Sequence, residues 1–203
     1  MSMPKTVVFD VGQVLLRWDP MPVLEDILGG PAALAAFHEK VDFPAFHGER
    51  DRGRTAAEAV ADMERLAPEF AAAIGTLYAR WIDTIPFAIE ESVAVFEKLE
   101  AAGLPVYGIT NFPDEEWQRT IPAYPFLGRF TDVVVSGAEK MVKPDPAIYE
   151  LLLERNGLAA ESCVFIDDTV KNIDGARAVG MDAIHFTDPG LLAPALRERG
   201  LPV

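Results

Sequence analysis

Thr6-Val7-Val8-Phe9-Asp10-Val11-Gly12-Gln13-Val14 opens the readable part of the chain. Four apolar, mostly β-branched residues run straight into a carboxylate and a glycine. Such a run, apolar at every position rather than at alternate ones, is the pattern of a strand covered on both faces of a parallel sheet. Four more runs of the same kind follow: Pro105–Ile109, Asp132–Val135, Cys163–Ile166 and Asp182–Phe186. Helical patterns separate the later ones. Ile89, Val93, Phe96 and Leu99 share one helical face. Asp145-Pro146 reads as an N-cap and a first-turn proline ahead of Ile148, Leu151 and Leu152. Ile173 and Ala176 precede Gly180, a C-terminal glycine signal. Strands alternating with helices predict an α/β fold, a Rossmann-like parallel sheet with right-handed crossovers.

One stretch interrupts the alternation. Between the first strand and the helix at Ile89 lie about 70 residues with helical signals and no strand, too long for a loop in a compact domain. Gly30-Pro31 starts one helix. Thr55 and Glu58 form a capping box for another. Phe70, Ile74, Leu77 and Trp81 share a helical face. The expectation is a helical cap of three or four helices over 18–84, inserted into a core of 1–17 and 85–203.

The 203 residues carry 18 Lys and Arg against 32 Asp and Glu, a net charge of −14. That balance argues against nucleic acid and anionic membranes as partners. Half of the residues are hydrophobic, ample for a packed core. The single cysteine, Cys163, fits a reducing compartment and reads as core. No apolar run approaches the roughly 18 residues of a membrane span, and the N-terminus shows no signal-peptide pattern. The expectation is a cytoplasmic protein with a small-molecule partner; the sequence does not give an oligomeric state.

Ligands of open parallel sheets bind beyond the C-terminal strand ends. There the chain places Asp10, then Thr110-Asn111, then Lys143-Pro144-Asp145-Pro146, then Asp167-Asp168. Like charges gathered at one edge repel unless a cation lies between them. Mg²⁺ takes one or two carboxylates plus other oxygens; Asp10, Asp168 and the Gly12 carbonyl can supply them. Asp10 can also attack phosphorus and form an aspartyl phosphate. Lys143 can neutralise the transferring group and pair with Asp167, while Thr110 and Asn111 can bind phosphate oxygens.

These four segments, in this order, resemble the motifs of the haloacid dehalogenase-like hydrolase superfamily, from Lys5 to about Phe186. The helical insertion is similar to the small cap of one subfamily. The resemblance implies a Mg²⁺-dependent phosphatase of a small phosphorylated metabolite. Asp10 would be the nucleophile, Thr110 and Lys143 phosphate ligands, and Asp10, Gly12 and Asp168 metal contacts. Asn172-Ile173 sits where the family often has Asp-Ile. That register puts Asp168 at the metal position and Asp167 behind it. One departure matters: family phosphatases carry a general acid/base Asp two residues after the nucleophile, and here Gly12 stands there. Loss of such a group forfeits about 10²–10⁴ in rate. The form with glycine is similar to bacterial α-D-glucose-1-phosphate phosphatases, which implies a sugar phosphate with a good leaving group. A group from the cap could instead act as the acid, or the protein could be a catalytically impaired binding or regulatory relative. A 2-haloacid dehalogenase is a further alternative, disfavoured by the acidic pair Asp167-Asp168.

Within the insertion, Trp18, His47, Glu49 and Arg52 are candidate specificity residues, with Phe46 and Arg50 nearby. The run His47–Arg54 mixes charges and reads as a solvated turn, with substrate recognition by His47, Glu49 or Arg52 as the alternative. His185 reads as structural, and Phe112 and Trp117 as core or pocket lining.

Overall fold

In a computed structural model, residues 6–203 are described; the first five residues of the expected core segment lie outside them. The chain begins with β1 (Thr6–Phe9), a turn, and the two-residue β2 (Leu16–Arg17). Five helices follow: α1 (Met21–Leu28), α2 (Pro31–Lys40), α3 (Phe43–Asp51), α4 (Ala56–Leu66) and α5 (Ala71–Ala79). The chain returns through β3 (Phe87–Ala88), which pairs antiparallel with β2, Leu16 opposite Ala88 and Arg17 opposite Phe87. Outgoing and returning strands are thus tied together at the neck of the helical segment. Then come α6 (Glu90–Ala101), β4 (Val106–Thr110), α7 (Asp114–Ala123), β5 (Asp132–Val135), α8 (Ser136–Glu139) and α9 (Pro146–Asn156). The chain closes with β6 (Cys163–Asp167), α10 (Val170–Ala178), β7 (Asp182–His185) and α11 (Pro189–Glu198).

The large sheet has the order β5-β4-β1-β6-β7, with every neighbour parallel. The chain order reverses at β1, the topological switch point where an open α/β sheet forms its ligand crevice. Alternation along β1 explains its apolar run: Val7 and Phe9 enter one buried cluster and Val8 the other. On one face Val8 packs with Ile148 and Tyr149 of α9 and Ile173 of α10. On the other, Val7 and Phe9 join Phe96 and Leu99 of α6 and Leu192 and Leu196 of α11. That same cluster continues without a break into the helical segment through Phe37, Ile74, Leu77 and Trp81.

The segment holds five α-helices rather than three or four. α1 and α3 are the helices beyond the expected ones, although each opens with the same first-turn proline that marks α2 and α9. α3 moreover buries His47 and Arg50 beside Phe43, so polar residues occupy its inner face. The expected signals elsewhere are realised. Thr55 and Glu58 form the capping box of α4, Gly30 precedes α2, and the Asp145 carboxylate accepts from the Ala147 N–H at the start of α9. Phe70 and Trp81 lie in short 3₁₀ turns flanking α5, and both are buried with Ile74 and Leu77. No helix among the described residues is long and apolar enough to cross a membrane.

Candidate active site

β1, β4 and β6 end side by side, and their last residues carry the chemistry. Asp10 leaves β1 with its backbone N–H still bonded to the Ile166 carbonyl of β6 at 2.8 Å, so its side chain is fixed by the sheet. Two donors reach its carboxylate: the Val11 N–H at 2.7 Å and Lys143 Nζ at 2.8 Å. Both fall on Oδ1, and Oδ2 receives no donor among the described residues.

Lys143 is buried and bridges two acids, lying also 2.7 Å from Asp167 Oδ2. Its ammonium stands 5.5 Å above the Phe165 ring. Burial alone would lower its pKa, but Asp10 and Asp167 overcome this and hold it above the ordinary lysine range. Asp167 is fully buried and saturated: besides Lys143 it accepts from the Thr169 N–H at 2.8 Å and the Asn172 amide at 3.0 Å. Asp168 is half-exposed, and its carboxylate meets only the Thr169 hydroxyl, at 3.5 Å. The Asp168 carbonyl lies 3.0 Å from His185 Nε2, which gives that histidine a structural partner.

One oxygen from each of Asp10, Asp167 and Asp168 lies within 4.8 Å of the others. With all three ionised, Lys143 would supply one positive charge against three negative ones, an excess of two at a largely buried strand edge. Burial raises the carboxyls of Asp10 and Asp168 above their usual range, and Asp167 adds to both. A divalent cation would remove that excess, and Asp10 Oδ2 and Asp168 are the oxygens left to hold it. Mg²⁺ suits such a set, because it takes one or two carboxylates and keeps other oxygens around it.

Thr110 closes β4 with its hydroxyl buried and without a hydrogen-bond partner. An orphaned buried hydroxyl costs about 1–3 kcal/mol unless something binds it; Thr110 is itself fully buried and is not among the residues that line the cavity. Asn111 meets Lys143 through its side chain. Its side chain accepts from the Lys143 N–H at 2.8 Å and donates to the Lys143 carbonyl at 3.2 Å. The amide is spent on positioning the lysine backbone. Gly12 lines the same cavity, and a Cβ added there would meet nothing within 4 Å. The missing carboxylate at that position is therefore not excluded by crowding. Gln13 follows in the left-handed region (φ 61°), held by its N–H to the Leu16 carbonyl and its amide to the Trp18 carbonyl, both at 2.8 Å.

The helical segment closes the cavity, whose volume is about 270 Å³. Trp18 and His47 line it, as expected, together with Trp81 and Phe112. His47 is sandwiched, 4.9 Å from the Trp18 ring, 5.6 Å from Phe43 and 5.8 Å from Trp81. Burial and the adjacent Arg50 push its imidazole down to about 3, so it is neutral at physiological pH. Its approach to Asp51 at 3.9 Å is accordingly no ion pair. Glu49 and Arg52 do not join the site: they pair with each other at 3.4 Å, both about half exposed, and neither lines the cavity. The His47–Arg54 run is not a solvated turn but mostly the C-terminal half of α3, whose inner side carries Phe43, His47 and Asp51 at four-residue spacing.

Asp51 is the residue that the sequence reading missed. It lines the cavity, its side chain is 19% exposed, and its Oδ1 is buried without a hydrogen-bond partner. Burial pushes its carboxyl up to about 7, against the pull of Arg50, Lys143 and Arg52. The four-residue spacing from Phe43 and His47 was the available signal, hidden among neighbouring charges.

The model of the haloacid dehalogenase-like hydrolases matches residues 4–180. The chain is 30% identical over 105 residues to a sesquiterpene phosphatase of Aspergillus oryzae, covering 52% of this chain and 54% of that protein. It is 29% identical over 104 residues to an (S)-2-haloacid dehalogenase of Burkholderia cepacia, covering 51% and 45%. The matches thus span about half the length of these relatives. In fold it is similar to a HAD family enzyme of Bacteroides thetaiotaomicron, bt-2542, in its magnesium complex. The TM-score is 0.77 at 20% identity, covering 96% of this chain and 98% of that one. The chain belongs to the haloacid dehalogenase-like hydrolase family.

Proposed function

We propose that this haloacid dehalogenase-like hydrolase is a Mg²⁺-dependent phosphatase that releases phosphate from a small phosphorylated metabolite. The observation that carries the reading is the charge imbalance at the strand ends. Oxygens of three acids gather within 4.8 Å of one another, one ammonium pairs with two of those acids, and the buried Thr110 hydroxyl at the end of β4 has no partner. A divalent cation and a phosphoryl group satisfy each of these at once. Phosphatases among the curated relatives, and a fold neighbour crystallised with magnesium and inorganic phosphate, support it.

Asp10, Asp168 and the Gly12 carbonyl would hold the cation, which would draw charge from the phosphoryl oxygens and keep Asp10 ionised against its burial. Asp10 attacks phosphorus and carries the phosphoryl group as an aspartyl phosphate that water then cleaves. Its rotation is limited by the Val11 N–H and Lys143 on Oδ1. Lys143, fixed by Asp167 and by Asn111 at its backbone, stabilises charge on the transferring group, and Thr110 donates its free hydroxyl. Most of the rate enhancement is then positioning and electrostatics. Trp18 and His47 bound the space for the leaving group. The helical segment 18–84 acts as the cap, and water is excluded by its packing over the strand ends.

The experiment is phosphate release from p-nitrophenyl phosphate by the wild type and by Asp10→Asn. Asp10→Asn should lose turnover by at least about 10³-fold with an unchanged circular dichroism spectrum. Retained turnover would remove Asp10 as nucleophile. Chloride release from 2-chloropropionate without metal would favour a dehalogenase.

A further inference from the structure

We propose that Asp51, from the helical segment, is the general acid and base of the reaction, in place of the carboxylate that Gly12 lacks. This deepens the phosphatase reading and rests on it. Among the described residues, three carboxylic acids line the cavity: Asp10, Asp51 and Asp168. Asp10 and Asp168 are engaged with the transferring group and its cation, so Asp51 is the one left to handle protons. It also stands at a junction. A second cavity of about 520 Å³, walled by Trp18, Met21 and Phe43, shares Gln13, Trp18, His47 and Asp51 with the first. A phosphate ester whose phosphorus faces Asp10 can extend its organic part into that apolar space, past Asp51, which lines both cavities.

The surroundings of Asp51 suit proton transfer near neutral pH. The charged and titratable groups that face it are Arg50 and Arg52 on its own flank, His47 one turn before, Tyr78 of α5, Glu116 of α7 and Lys143. Burial outweighs the three cations and keeps the proton on Asp51 up to about pH 7. His47 is neutral and has no proton to give at that pH. Its ring and the Trp18 ring fix the wall from which Asp51 projects.

Each bond and proton is accounted for. As the Asp10–phosphorus bond forms and the phosphorus–ester oxygen bond breaks, protonated Asp51 gives its proton to that oxygen, and a neutral alcohol leaves. Water takes the vacated place. Asp51, now a carboxylate, accepts its proton while its oxygen bonds to phosphorus and the Asp10–phosphorus bond breaks. Phosphate leaves, and both side chains are restored. With this donor the reaction is not confined to leaving groups as good as an anomeric oxygen.

The test is a series of phosphate monoesters of graded leaving-group acidity, from p-nitrophenyl through phenyl phosphate to glycerol 2-phosphate, with wild type and Asp51→Asn in Mg²⁺. In kcat/KM, which reports the steps up to departure of the alcohol and not the shared hydrolysis of the aspartyl phosphate, Asp51→Asn should slow glycerol 2-phosphate by about 10²–10³-fold and p-nitrophenyl phosphate by less than about tenfold. Equal slowing of all esters overturns the assignment and leaves the phosphatase reading standing. Absence of metal-dependent turnover in the wild type overturns both. Should Asp51→Asn not fold, the wild-type pH–rate profile decides. A fall through about pH 7 for glycerol 2-phosphate that is absent for p-nitrophenyl phosphate supports Asp51, and matching profiles contradict it.

Discussion

Lys143 touches two carboxylates at once, and that contact separates the acids of the site into two kinds. Asp167 spends both oxygens on Lys143, Asn172 and the Thr169 N–H. It has no lone pair left for a cation and serves to hold the lysine. Asp10 and Asp168 keep oxygens in reserve. Asp51 is of a third kind, an acid that burial keeps protonated, and this has a consequence for stability. Its carboxyl sits at about 7 in the fold against 3.8 in an unfolded chain. Between those values the folded state binds more protons, so stability falls as pH rises through that window and levels off above it. Asn does not titrate. The stability of Asp51→Asn relative to wild type should therefore grow from pH 4 to pH 7, by up to about 1.4 kcal/mol per unit, and then stay level. Urea denaturation at several pH values measures this; a constant or shrinking difference would show that Asp51 is not held protonated. At this scale Asp10, Thr110 and Asp168 were legible because each ends or follows a strand, and Lys143 because it stands just before the Asp145-Pro146 start of α9. Asp51 was not, because only folding reveals which side of a charged helix is covered.

Among the elements, α3 deserves its place over the site to one arginine. Arg50 is 1% exposed, and its guanidinium pairs with the buried Glu116 of α7, lies 3.0 Å from Glu115, bonds the Arg54 carbonyl and stands 5.0 Å above the Tyr78 ring. Glu115 in turn accepts from the Ala56 N–H at the start of α4 at 2.8 Å. Burial raises the Glu116 carboxyl above its ordinary range even with Arg50 opposing, so its charge depends on that partner. Arg50→Met should cost about 3–5 kcal/mol, because it strands a buried carboxylate, and Glu116→Gln added to it should recover part of the loss. A cost below about 1 kcal/mol, the level of an exposed pair, would show that the contact does not clamp α3 to the core. The strands, the α4 capping box and the α9 cap were readable from local chemistry. α3 was not, since polar residues on its inner face break the apolar period, while α1 carries the same first-turn proline that marks α2 and α9.

For the whole molecule, a net charge of −14 sets a constraint on an anionic substrate. Long-range repulsion slows its approach, and among the described residues that line the cavity Lys143 is the one cation and is already shared between two acids. On the proposed reading, a bound divalent cation supplies the positive charge that admits phosphate. The helical segment and the sheet share one apolar interior, which makes the site part of a single packed body and not a gap between loosely joined pieces. The most direct measurement is p-nitrophenyl phosphate turnover as Mg²⁺ is titrated into EDTA-treated protein, for wild type and Asp168→Asn. The account predicts no turnover without metal, saturable activation of the wild type, and activation of Asp168→Asn that is lost or shifted to far higher Mg²⁺. Full turnover in EDTA, or equal activation of both proteins, would contradict it.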